Sequence, residues 1–125
     1  MERVNLSAGE WRVMEELWKA PATLMELVHA LGESAGWAKS TVSTVVRRME
    51  DKGLIRAEQE GRAKVFCPAV AREEAAAAET ESLLSRVYHG SVGLMVSTLL
   101  QNRRISREEL KELQALLEQG EEEQT

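Results

Sequence analysis

Between Lys39 and Arg48 the sequence KSTVSTVVRR gathers an ammonium group, the hydroxyls of Ser40, Thr41, Ser43 and Thr44, and the guanidinium groups of Arg47 and Arg48. No carboxylate interrupts them before Glu50. Short hydroxyls can trade hydrogen bonds with base edges, and fixed cations can neutralise phosphate, so this set suits a nucleic acid. Arg62 and Lys64 offer the same chemistry a little further on. Other chemistries have less to stand on. His29, His89 and Cys67 are the only soft metal ligands, widely separated and in no HxxxH or CxxC spacing, so neither metal nor cofactor is expected. There is no GxxxxGK[ST] phosphate loop and no plausible Ser/His/Asp grouping, so an enzyme is not expected either.

A formal net charge of −5 over 125 residues taken alone argues against a polyanionic partner. Its distribution removes the objection. Residues 1–69 hold ten Lys/Arg against ten Asp/Glu, whereas residues 70–125 hold six against eleven. Residues 37–66 carry Lys39, Arg47, Arg48, Lys52, Arg56, Arg62 and Lys64 against four acids, which allows a locally basic surface. No signal-peptide core or apolar run near membrane-spanning length occurs, and one cysteine cannot form an internal disulfide. A cytoplasmic protein without membrane contact is expected.

The elements that must present these groups are written in helical code. Ser7 to Glu10 (SAGE), Thr23 to Glu26 (TLME) and Ser106 to Glu109 (SREE) each pair a capping hydroxyl with a Glu three residues on. Trp11, Met14, Leu17 and Trp18 follow the first start at helical spacing, and Pro21 closes that helix. Leu24, Leu27, Val28 and Leu31 follow the second, with Gly32 expected to end it. In the third helix Val42, Val45, Val46 and Met49 form one apolar stripe, and Gly53 terminates it. At 100° per residue the opposite side carries Ser40, Thr44, Arg47 and Asp51, with Ser43 and Arg48 flanking and Thr41 outside the group. The run LIRAEQEGRAKVFCP then alternates in period two, passes Gly61 and reads as a short hairpin with Arg62 at its tip. Three helices and a hairpin, in that order, make a winged helix-turn-helix over residues 1–69. Trp11 and Trp18 fall on an apolar stripe and read as core, while Trp37 buttresses the start of the third helix.

From Val70 the composition turns to Ala, Glu and Leu, and three thin helices follow. Leu83, Leu84, Val87 and Tyr88 lie in the first, and Leu94, Met95, Leu99 and Leu100 in the second. Leu113, Leu116 and Leu117, with Leu110, share a face of the third. So few residues in three helices enclose little core alone, so residues 70–125 read as a dimerisation region whose apolar faces meet a second copy. The acidic tail EEEQT after Gly120 is expected to be disordered.

Four segments together are similar to the penicillinase repressor (BlaI/MecI) family: LSAGEWRVMEELW; the W-x-x-x-T-V-x-T from Trp37 through Thr41 to Thr44; RRMEDKGLI running into EGRAKVFCP; and ESLLSRVYHG. The resemblance covers nearly the whole chain. It implies a homodimeric transcriptional repressor of inverted-repeat operators, with a winged helix followed by helical dimerisation elements. By position, Ser40 and Thr41 stand at the base-reading start of the recognition helix, Ser43, Thr44 and Arg48 at groove-side and phosphate positions, and Arg62 at the wing tip. Ala38 and Lys39 replace the capping Ser and the Pro common in the family. Thr98 and Leu99 replace the Asn-Phe bond cut in β-lactam-induced relatives, and no CxC motif of the copper-responsive branch follows Cys67. The alternative to an operator-binding repressor is a winged-helix module that binds another protein through the same face.

Overall fold

In the computed structural model, which describes residues 4–124, both N-terminal capping boxes close. The Ser7 hydroxyl accepts from the Glu10 N–H while the Glu10 carboxylate accepts from the Ser7 N–H, and Thr23 and Glu26 repeat the exchange. These bonds hold the Glu26 carboxyl below its ordinary value. They open α1 (Ala8–Lys19) and α2 (Leu24–Ala35). The helix α2 does not stop at Gly32, as its apolar pattern suggested. Gly36 ends it by taking the left-handed conformation, φ +67°, and returning its N–H to the Gly32 carbonyl at 3.1 Å. A glycine need not break a helix; one at the position that must turn left does. The helix α3 (Lys39–Asp51) follows after three residues, and β2 (Ile55–Glu60) and β3 (Ala63–Pro68) form the expected hairpin.

That hairpin acquires a third strand unforeseen in the sequence. The strand β1 (Ala22–Thr23) pairs antiparallel with β3, Ala22 against Phe66 and Thr23 against Val65, giving the order β1-β3-β2. Two residues carry no periodicity, so only the partner strand reveals β1. Between β2 and β3, Glu60 faces Ala63 across a two-residue loop, Gly61–Arg62. Gly61 has φ +61°, which suits the first position of a type II′ turn.

Val13, Met14 and Leu17 of α1, Leu27 and Leu31 of α2, and Val42, Val46 and Met49 of α3 are buried together with Leu54, Ile55 and Phe66. The stripe on α3 is therefore its anchor. Trp11 and Trp18 pack at the margin of this core rather than inside it, edge to face at 5.5 Å. Trp18 Nε1 donates to the Val70 carbonyl at 2.9 Å, and Arg72 lies over its ring while pairing with Glu15.

The chain divides into compact units at Glu81/Ser82, inside α4 (Arg72–Tyr88), rather than at the change of composition at Val70. The start of α4 belongs to the first unit, where Ala75 is buried. The second unit holds the end of α4 with α5 (Val92–Gln101) and α6 (Arg107–Gln124). The helix α6 runs through Gly120 and the acidic residues 121–123 instead of giving way to a disordered tail; Thr125 lies outside the described residues. Glu and Gln are good helix formers, and they carry the helix past one glycine. At its start the Ser106 hydroxyl accepts from the Glu109 N–H and donates to the Glu109 carboxylate. Among the described residues no helix is long and apolar enough to cross a membrane.

None of the described side chains of this second unit is buried. Leu83, Val87, Leu94, Leu99 and Leu100 are exposed, Leu84, Tyr88, Met95 and Leu113 half-buried, and Leu116 and Leu117 are 62% and 68% accessible.

Candidate nucleic-acid interface

The first turn of α3 has no side-chain cap, because its N-cap residue is Ala38. Its leading N–H groups are therefore free of any side-chain acceptor, and Lys39 stands exposed beside them. Along the outward surface Ser40, Thr41, Thr44, Val45 and Arg48 line a shallow depression of about 290 Å³. Thr41, set aside by the simple projection, is one of this group. The row 41, 45, 48 runs beside the row 40, 44, so the presented face is turned toward Thr41 and away from Arg47. Arg47 remains exposed on the other flank, while Ser43 is half-buried.

Val45 is the lining residue that the sequence did not reveal. It was assigned to the apolar stripe, and it does pack against the core, yet its position at the stripe's edge also brings it to the depression. A methyl group among hydroxyls is the chemistry that meets a thymine methyl.

Arg62 is exposed at the two-residue tip of the hairpin. Lys64 is in a different position. Its Nζ lies 3.6 Å from Glu50 at the end of α3 and 5.2 Å from the centre of the Phe66 ring. An ion pair thus joins the helix to the wing strand and occupies Lys64 in the free protein. Arg56 is likewise engaged, by Glu58 and by the Pro68 carbonyl. Asp51 is exposed at the last turn of α3.

The trailing end of α3 is held through the core side. Lys52, its C-cap residue, donates from Nζ to Glu10 Oε2 at 2.8 Å, and the Ser7 N–H occupies Glu10 Oε1 at the same distance. Glu10 is 5% accessible. Burial pushes its carboxyl upward, but the hydrogen bonds from Lys52 and Ser7 and the Lys52 charge outweigh it and hold the group below its ordinary value of 4.5. A carboxyl lowered in the folded state stabilises above its unfolded value and loses that contribution as pH falls through the folded one. Lys52→Met should therefore cost about 1–2 kcal/mol near neutrality, since it leaves a buried carboxylate half satisfied. The cost should shrink in acid, where Glu10 is neutral; thermal unfolding of both proteins at two pH values measures it. An equal cost at both would mean that Lys52 stabilises by some other contact.

The penicillinase repressor family matches residues 6–119 of this chain. The chain is 30% identical over 116 residues to the penicillinase repressor of Bacillus licheniformis, covering 92% of this chain and 91% of that relative. It is 22% identical over 114 residues to the methicillin resistance regulatory protein MecI of Staphylococcus epidermidis, covering 90% and 93%. Among solved structures, the DNA-binding domain of the repressor BlaI superposes with a TM-score of 0.52 at 26% identity, covering 59% of this chain and 93% of that one. The monomeric form of Bacillus licheniformis BlaI, in complex with the blaP half-operator, superposes with a TM-score of 0.53 at 26% identity, covering 58% and 90%.

Proposed function

Because the chain belongs to the penicillinase repressor family, we propose that it represses transcription by binding an inverted-repeat operator as a homodimer. In this reading α3 enters the major groove and the Gly61–Arg62 tip meets the backbone or minor groove. Ser40, Thr41, Thr44 and Arg48, with Lys39, Ser43 and Arg47 around them, provide the contacts, and Lys64 joins them on leaving Glu50 for a phosphate. The observation that carries the reading is the acid-free face of Ser40, Thr41, Thr44, Val45 and Arg48, presented on a fold like that of a repressor solved with half an operator. Residues 82–124 supply the second requirement. None of their described side chains is buried, and a second copy would cover the leucines and set two α3 helices at the spacing of two half-sites. A repressor of this kind works in the cytoplasm, on double-stranded DNA, without a cofactor.

Selection of bound fragments from genomic DNA of the source organism by the purified protein tests this directly. A few promoter fragments sharing an inverted repeat are expected. If the folded dimer enriched nothing, the face would belong to a protein partner. The wing carries its own prediction. Arg62→Ala should weaken binding to every sequence alike and lower the salt slope by about 0.9, the share of one phosphate contact. Titrations at several salt concentrations read both, and an unchanged slope would remove Arg62 from the interface.

A further inference from the structure

Two consecutive residues of α1 reach the two ends of α3. Gly9 lies against the indole of Trp37, the residue just before the Ala38 N-cap: a Cβ at Gly9 would stand 3.3 Å from Trp37 Cη2 and 3.5 Å from Cζ2. Glu10 holds Lys52, the C-cap residue, at 2.8 Å. The backbone at Gly9 is ordinary helix, where alanine is preferred, so its conformation does not call for glycine. The space taken by Trp37 does. Trp37 is itself fixed, its N–H donating to the Leu31 carbonyl at 3.2 Å and its ring packed against the core.

We propose that the first turn of α1 is a clamp that fixes where α3 is presented, Gly9 through Trp37 at the leading end and Glu10 through Lys52 at the trailing end. The inference rests on the reading of α3 as the DNA-recognition helix. Gly9, Glu10, Trp37 and Lys52 are positioning residues, not DNA contacts. Hydrogen bonds to base edges weaken steeply with misplacement, whereas long Lys and Arg side chains follow a phosphate that shifts by tenths of an ångström. The clamp therefore governs sequence preference more than total affinity.

The test is a double-mutant cycle of Gly9→Ala and Trp37→Phe. The added methyl forces the indole to move by a few tenths of an ångström, and the smaller phenyl ring removes the crowding. In the free protein the amide resonances of Ser40 to Thr44 should shift in Gly9→Ala and return in the double variant. Against a randomised duplex library, the preference of Gly9→Ala for the duplex selected by the parent over its half-site-scrambled form should fall about tenfold, the loss of one base contact. Affinity for mixed-sequence DNA and the salt slope should stay within about twofold. Lys52→Gln frees the trailing end without crowding the leading one and should lower preference in the same way. Unmoved resonances in Gly9→Ala, or preference effects that simply add in the double variant, would overturn the clamp. A parent protein that enriches no duplex would instead overturn the DNA reading, and the resonances would still decide the clamp.

Discussion

Changing Leu116 and Leu117 together to glutamate is expected to yield a monomer that binds a duplex with two half-sites about 100- to 10,000-fold more weakly than the parent protein, the range over which linking two sites raises avidity. Both side chains are more than half exposed on α6, at its fourth and fifth positions from the carboxylate-rich residues 121–123. Carboxylates placed on a face proposed to lose water in a dimer would carry a desolvation penalty no neighbouring leucine can offset. The unit ending at Glu81 keeps its own buried core and so should stay folded. Affinity for a duplex with a single half-site should then match that of the parent. Sedimentation and the two titrations together check the outcome. A variant that remains dimeric would place the interface elsewhere, and a monomer with undiminished affinity for the double site would mean that the two half-sites are not read by a dimer.

The second large effect belongs to the anchor of α3. Met49 is fully buried at the end of the stripe that begins with Val42. Met49→Ala should destabilise the chain by about 3 kcal/mol, the sum of lost transfer energy and the cavity left behind. For a unit of this size that corresponds to a fall in Tm on the order of 15 °C. Calorimetry at matched concentration measures it, and a loss under about 1 kcal/mol would show that neighbouring side chains collapse into the space. Binding at low temperature should survive, because no outward-facing group is touched.

The local part of this architecture was legible in the sequence. A hydroxyl and a carboxylate three residues apart can satisfy one another without help from the rest of the fold, so Ser7 with Glu10 and Thr23 with Glu26 were readable by eye. The stripe of α3 was equally plain, since Val42, Val46 and Met49 need only a regular helix to align. What escaped depends on residues far apart. The strand β1 exists because Phe66 and Val65 lie beside it, and Lys52 reaches a carboxylate 42 residues earlier in the chain. Gly32 was expected to end α2, and only the left-handed backbone at Gly36 shows that the helix runs on to that residue. At the candidate site the residue types were legible, and their grouping less so. Thr41 falls outside an idealised projection at 100° per residue that selects only the side opposite the stripe, and Val45 was hidden because one side chain can serve two surfaces.

Cys67 sits on β3 as the only sulfhydryl of the chain, 7% accessible. Burial first, and then the nearby Glu58 carboxylate, push its thiol above the usual value, with Arg56 opposing. Such a group is expected to react with an alkylating reagent chiefly during moments when the sheet opens. Its labelling rate is then the intrinsic rate multiplied by the opening equilibrium, which makes the native protein its own stability gauge. Any ligand that binds only the closed form slows that rate in proportion to its occupancy, by a factor of one plus its concentration over Kd. A duplex that bound the proposed α3 face would thus register as slower labelling at Cys67, with no reporter group built into either partner beforehand.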